Sequence, residues 1–442
     1  MELKKLYLEN FKMKFLIISL IIFIFVFENN ETKANTLFNS LNLAYQNNPK
    51  LNAERAGMRA SREEKRESVS EFLPSVTISG YVSEQDNTGG VDDSNFKPSE
   101  QSMKIEQKIF QGGGGVANFM KKKHGQNLGE YKLKKIEQEI LLEAAKAHTE
   151  FLLNKKKVNI NLTNIDLFER QVETDQNRLE KGEISLTDLA QSESSLSGAR
   201  AKLISAQNDL VSSKANFEKI IGKKPSDNIQ EIKEINLNLP SSLAMAYDIS
   251  KSENPDLQIA LFEFKQAKMD VIIAGSDLSP SATLSYKIAE QDDVSATVKD
   301  RTQQTVTDTA TWPLFSGGSY LFNLRKAQEL RNQKELLLAD SKNKIETDVA
   351  NAWSNYQSSK GVLESTRSQV KAAEIANEGI TLEYESGTSR TTLEVIQSRT
   401  ILLDSRLNLA SSERNFLISQ FSLLSAIGRL TAPQLNLKPA NP

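Results

Sequence analysis

The chain has no cysteine, only two histidines (His124 and His148), two tryptophans and eleven prolines among its 442 residues. Without cysteine there is no disulfide, no thiolate metal site and no cysteine nucleophile. Two imidazoles leave little room for histidine-centred zinc, haem or triad chemistry. Charge of one sign is not in excess either: 55 Lys and Arg stand against 57 Asp and Glu, so the basic footprint of a nucleic-acid binder is missing. Apolar residues make up 38% of the chain, below the roughly 45–50% of ordinary soluble domains even allowing for the glycine counted there. The length suggests two or three globular domains, but the composition argues against a thick core. Beyond the N-terminus no apolar run approaches the ~20 residues of a membrane-spanning helix.

What is present begins with an export signal. Lys4, Lys5, Lys12 and Lys14 precede the apolar run Phe15 to Phe27, and a polar stretch then ends in Thr32-Lys33-Ala34. A positive start, a short apolar segment and small residues at the cleavage positions form a secretory signal cut after Ala34, with Met13 as an equally good start and an uncleaved anchor as the alternative. No cysteine follows for lipoprotein processing. The mature chain is then periplasmic, secreted, or set in an outer membrane through β-strands.

The mature sequence is written twice. A shift of about 206 positions lays Asn48-Pro49-Lys50-Leu51 on Asn254-Pro255-Asp256-Leu257, Pro74 on Pro280, Thr77 on Thr283, Glu84-Gln85 on Glu290-Gln291, Arg200 on Arg406 and Ile221-Gly222 on Ile427-Gly428. At one residue less, Phe110 meets Phe315, Ile140 meets Ile345, Ala147 meets Ala352 and Gly182 meets Gly387. Ordered matches over so long a span mark a tandem of two structural units. The divisions expected are a signal at 1–34, a first repeat at 35–222, a connector at 223–242, a second repeat at 243–430 and a tail at 431–442. Connector and tail form either a collar or loose ends.

Proline inside a helix removes a hydrogen bond and clashes with the preceding turn. Pro98 to Pro225 and Pro313 to Pro433 bracket long proline-free spans. In them Leu133, Ile136, Ile140, Ala144, Ala147 and Phe151, and later Leu338, Ile345, Val349, Ala352 and Tyr356, recur at three- and four-residue spacing. Such a narrow stripe suits coiled-coil packing. Gly182 and Gly387 each divide a span and are followed by Ser or Thr, so each span predicts an antiparallel helical hairpin with arms of roughly 50–60 residues, on the order of 80–90 Å. Ahead of each hairpin lie two segments of period-two alternation: Ser75 to Gln85, Gln101 to Phe110, Ser281 to Gln291 and the Thr-rich Gln303 to Leu314. They match either tilted transmembrane strands or exposed soluble hairpins. Four strands cannot close even the smallest barrel of about eight, so a membrane barrel requires several chains.

Signal, tandem copies, two strands followed by a long hairpin in each, and glycine-centred turns together resemble the TolC family of outer-membrane channels. The carrying residues are Leu43-Ala44-Tyr45-Gln46-Asn47-Asn48-Pro49, Asn254-Pro255, Leu73-Pro74, the junctions Phe110-Gln111-Gly112-Gly113 and Phe315-Ser316-Gly317-Gly318, the turns at Gly182 and Gly387, and the endings Ile221-Gly222 and Ala426-Ile427-Gly428. The resemblance implies an α+β membrane protein, a homotrimer in which four strands per chain form a twelve-stranded outer-membrane barrel continuous with a long periplasmic α-helical coiled-coil barrel. It implies a passive exit duct, not an enzyme, serving an inner-membrane transporter (ABC or proton-driven) through a periplasmic adaptor, the membrane fusion protein. Neither cofactor nor nucleic acid is implied. The copy openings look most like members that serve type I protein secretion, with small-molecule efflux as the alternative and a periplasmic adaptor as the more distant one.

The resemblance also assigns residues. Gly182 and Gly387 become hairpin tips at the periplasmic entrance, where the adaptor docks. Thr187 and Asp188 take the latch position on the first hairpin, with Tyr384 and Arg390 as partners on the second; the alternative is solvated turn charge. Glu394 falls on the acidic entrance ring, and Gln397 stands where a second acid is expected, which should weaken block by multivalent cations. The extra residue Ser389 leaves the Arg390 and Glu394 assignments open by one position. Gly112-x-Gly114-x-x-Ala117 fits a loose dinucleotide fingerprint, but a strand-to-helix bend requires glycine anyway. His148 reads as a packing residue, and Trp312 as an interfacial or a buried aromatic.

Overall fold

A computed structural model describes residues 36–87, 94–226, 229–230, 235, 237–295, 298–387 and 390–439. The signal segment through Ala34 and Ser389 lie outside them. Each copy opens with a broken helix pair. Helix α1 (Leu37–Asn47) gives way at Asn48 to α2 (Pro49–Glu67), and the Asn48 side chain accepts from the backbone N–H groups of Lys50 and Leu51 at 3.0 and 3.3 Å. The Asn-Pro pair works because Asn caps a helix whose first residue needs no N–H donor.

Four long strands form one antiparallel sheet in the order β1 (Ser75–Val82), β4 (Ser99–Gln111), β5 (Ser281–Ser295), β6 (Val298–Thr311), and a short ribbon of β2 (Gln85–Asn87) and β3 (Ser94–Phe96) extends the β1–β4 hairpin. The register places Ile78, Met103 and Ile288 in one row and Val76, Ile105, Tyr286 and Val306 in the next, all on one face. That face is open to its surroundings, with Ile78 81% and Val76 61% exposed. The other face carries Ser79, Ser102, Lys104 and Thr305. β5 and β6 run further at their shared turn than the alternation suggested, because ladder pairing continues through polar residues to Ser295 and Val298. β1 stops at Val82, and Trp312-Pro313 closes β6. Trp312 is the exposed alternative: it is 63% exposed, and its indole donates to the Leu278 carbonyl at 3.2 Å.

At each strand-to-helix bend two successive glycines take left-handed backbone: Gly112 and Gly113 (φ 59° and 85°), then Gly317 and Gly318 (φ 61° and 80°). The hairpins follow as α3 (Gly114–Glu180) with α4 (Leu186–Ile221), and α7 (Ser319–Glu385) with α8 (Thr392–Ala426); α5 (Leu243–Glu253) and α6 (Pro255–Ser276) are the opening pair of the second copy. The arms are unequal, not alike as the spacing predicted: 67 residues against 36 in the first hairpin, 67 against 35 in the second. The short arm of the first hairpin ends at Gly222 (φ 79°). The rest of α3 lies against α2 and α6 instead, so the long helix always has neighbours.

The core lies at mid-height, where Leu41, Leu51, Ile140, Leu141, Phe217, Ile221, Phe421, Leu424 and Ile427 are fully buried. Described parts of the connector and tail belong to it through Ile229, Leu237 and Leu435. His148 is buried there, its Nδ1 2.8 Å from Ser40 Oγ, and burial pushes its pKa down to about 4. Among the described residues no helix is long and apolar enough to cross a membrane.

Candidate functional site

The two hairpin tips lie side by side at the far end of the molecule from the sheet. At the first, Gly182 (φ 75°) turns the chain, Gly182 N–H donates to the Leu179 carbonyl and Glu183 N–H to the Arg178 carbonyl, both at 2.9 Å. Ser185 then caps α4: its Oγ accepts from Asp188 N–H at 3.3 Å while Asp188 Oδ2 accepts from Ser185 N–H at 3.0 Å. The second tip repeats the device. Gly387 (φ 76°) turns the chain, and Thr391 with Glu394 forms the same reciprocal cap, Glu394 Oε2 accepting from Thr391 N–H at 2.8 Å. These four-residue signatures satisfy helix-start N–H groups that would otherwise lack partners.

The four expected latch residues are not brought together within one chain. Asp188 serves its own helix start. Thr187 sits exposed on the first turn of α4. Arg390 stays within its own hairpin, donating from Nε to Glu383 Oε2 at 2.6 Å and from Nη1 to Glu394 Oε1 at 3.0 Å. The Thr391 N–H, followed by Arg390, holds the Glu394 carboxyl below the usual carboxylate range. Gln397 lies exposed one turn further along α8.

Of these four, only Tyr384 bonds across to the other hairpin among the described residues, and its partner is Asp175. Tyr384 Oη donates to Asp175 Oδ1 at 2.6 Å and lies 3.0 Å from Thr392 Oγ1. Asp175, fully buried, also accepts from Gln171 Nε2 at 2.9 Å and from Ser192 Oγ. The Arg178 guanidinium covers the tyrosine ring, 4.4 Å from its centroid, and donates to the Tyr384 carbonyl at 3.4 Å. Burial and the bond to Asp175 raise the phenol pKa, so it stays a donor. Arg399, also buried, donates to the Leu167 carbonyl at 2.7 Å and ties α8 to α3 just above.

The sequence reading missed Asp175, yet a signal existed. Along α3 the buried stripe runs Ile165, Phe168, Gln171, Asp175 at helical spacing, passing from apolar to polar as it nears the tip. A contact of this kind can separate and let water replace its partners, which an apolar contact resists.

Two segments, residues 40–223 and 246–429, each match the model of the family described as outer membrane efflux protein. The chain belongs to that family. The second segment starts 206 residues after the first, the shift at which the sequence repeats itself. Among curated relatives, the chain is 25% identical over 409 residues to the outer membrane efflux protein BepC of Brucella suis, covering 92% of this chain and 88% of BepC. It is 23% identical over 413 residues to the outer membrane protein TolC of Vibrio cholerae, covering 90% and 92%. Among solved structures, the fold is similar to the Campylobacter jejuni CmeC outer membrane channel (TM-score 0.80, 14% identity, 89% of this chain and 86% of that one). It is likewise similar to the open state of the Neisseria gonorrhoeae MtrE channel (TM-score 0.76, 16% identity, 89% of each). The family fixes the location as the outer membrane, with the helical part in the periplasm, and the role as an efflux channel of tripartite systems. The sheet is this chain's share of the membrane barrel, and transport rather than catalysis is the activity of family and fold.

Proposed function

We propose that three copies of this chain close into a passive exit duct, which an adaptor couples at the periplasmic end to an inner-membrane transporter. One observation carries the reading: the contact between the two copies inside a chain leaves matching open edges outside. In the sheet the copies join through β4 and β5, leaving β1 and β6 as free edges. In the helices they join through α3 against α6 and α8, leaving α2 and α4 on one flank and α7 on the other. By the internal repeat, β6 plays the part of β4 and β1 that of β5, so β6 pairs with a neighbour's β1, and α7 packs on a neighbour's α2 and α4. Exposed apolar residues whose counterparts in the other copy are packed within the chain occupy those flanks: Ile204 and Val211 on α4, and Leu336 on α7. A head-to-tail contact of this kind closes a ring, and three chains supply twelve strands.

In the ring the tips at Gly182 and Gly387 border the periplasmic entrance and are the surface the adaptor meets. The Tyr384–Asp175 contact holds the second hairpin against the first. Thr187 and Asp188, on the α4 flank, face the neighbour's second hairpin, where Arg390 can exchange Glu383 for Asp188. Glu394 and Gln397 border the opening, one acid per chain, which favours cations only moderately. The cargo reading is exported protein, supported by the openings of the two copies. Small-molecule efflux is the second reading, favoured by the description of the relative BepC. Removing the gene and comparing secreted proteins with drug and detergent tolerance separates the two. The duct itself is tested by single-channel recording of the purified trimer with Tyr384→Phe and Arg390→Ala: resting conductance rises in both if they latch the entrance. A monomer without conductance overturns the proposal.

A further inference from the structure

The charges of the sheet are sorted by face, and the sorting bears on what passes through it. The register sets Tyr81, Glu100, Gln291 and Arg301 in one row and Thr77, Lys104, Lys287 and Thr305 in another, on the face opposite Ile78 and Met103. That face is the pore wall of a closed barrel, since the apolar one must meet lipid. By the same pairing Glu106 and Lys108 lie on the pore face. The paired acids of the last two strands, Glu290, Asp292, Asp300 and Asp308, fall on the other face, and Asp293, unpaired at the irregularity near the end of β5, accepts from the Lys97 N–H at 2.7 Å. Four cations and two acids per chain therefore line the pore wall at paired positions.

Two of the cations are spoken for. Lys287 Nζ lies 2.5 Å from Glu100 Oε1, and Gln291 donates to the other oxygen at 2.7 Å. Lys104 is paired with Glu106. The remaining two have no acidic partner among the described residues: Arg301 donates only to the neutral Gln291 Oε1, from Nε at 3.0 Å and Nη2 at 2.5 Å, and the exposed Lys108 stands near the start of the helical tunnel. They sit toward opposite ends of the pore wall. Threefold repetition turns each into a ring of three positive charges, and a narrow pore with low-dielectric walls concentrates such a field.

We infer that the barrel lumen is an anion-binding segment, with one ring at Arg301 toward the outer mouth and one at Lys108 toward the tunnel, opposite in sign to the acidic periplasmic entrance. The ligand class is multivalent anions, whether free solutes or acidic stretches of a passing polypeptide. The site rests on the trimeric duct proposed above. Its test uses inorganic tripolyphosphate added on the side of the β2–β3 ribbon to trimers in a planar bilayer. Wild-type current is blocked, the block weakens as salt rises, and Lys108→Gln with Arg301→Gln weakens it at least about tenfold. The charge-keeping pair Lys108→Arg and Arg301→Lys retains the block, which separates charge from misfolding. Conducting wild-type trimers that tripolyphosphate leaves unblocked, or equal block in the neutral pair, overturn the inference alone. Absence of any conductance overturns the duct with it.

Discussion

The two hairpins share a length and a turn but differ in what covers them. In the first, Tyr131 stacks on Phe262 at a centroid distance of 5.6 Å, and Arg170 and Asn177 face solvent. Their counterparts 205 residues later are Leu336, Ile375 and Leu382, exposed by 72%, 65% and 59%. On the short arms the contrast reverses: Ile204 and Val211 of α4 are exposed, while the matching Ala410 and Leu417 of α8 are buried or partly buried against the chain. The first long helix is thus finished within the chain, and the second is finished by another chain. Duplication supplied one interface, and divergence decided on which side of a chain boundary each use of it falls.

The strongest way to break this contrast is Leu336→Lys with Val211→Lys. Losing those contacts removes about 2–4 kcal/mol per interface; size-exclusion with light scattering should show monomers whose helical circular dichroism is retained. Arg170→Leu, on the solvent face of the first hairpin, should leave the trimer intact. Next comes the mid-height core, where His148 stands opposite Trp353 in the repeat. With its pKa held near 4 by burial, His148 is neutral in the native state, whereas the unfolded chain takes up the proton as pH falls through about 6.5. Stability is therefore full above that pH and is lost progressively toward pH 4, by up to about 3 kcal/mol. His148→Gln should flatten the dependence of melting temperature on pH over that window.

Tyr384→Phe sharpens the contrast at the tips. It leaves buried Asp175 short of a donor and should lower stability by about 1–3 kcal/mol, read by denaturant melts. Arg390→Ala, which removes only exposed ion pairs, should leave the denaturant midpoint nearly unchanged. Smallest of all is the difference between Gly182→Ala and Gly387→Ala. Both glycines have left-handed φ and open space where a Cβ would go, so each change should cost about 1 kcal/mol from backbone strain alone.

Much of the fold could be read from the sequence because its elements are long and locally determined. Proline spacing bounded α3 and α7, glycine pairs marked the bends, and alternation fixed the inward and outward faces of β1, β4 and β5. β6 was the least legible strand, since Thr, Gln and Asp populate both of its faces and only pairing with β5 defines them. The arm lengths were misjudged because a continuous helical pattern does not reveal that α2 and α6 take over as neighbours of α3. At the tips the turns and caps were legible as short motifs. Asp175 was not, because a buried carboxylate on a polar helix looks like any solvated acid until its tyrosine partner, 209 positions away, is brought to it.

The equality of α3 and α7, 67 residues each, makes the pair a ruler. Each spans about 100 Å at 1.5 Å per residue, and in a ring built from alternating copies every long strut must reach the same depth for the rim to be level. An insertion of one heptad in the first hairpin alone would leave every other hairpin projecting beyond its neighbours. The same insertion made in both hairpins, in long and short arms alike, would lower the whole mouth by about 10 Å. The depth at which this channel meets its partner is therefore written in the number of residues between two glycine bends and two glycine turns, and it can change only in paired steps.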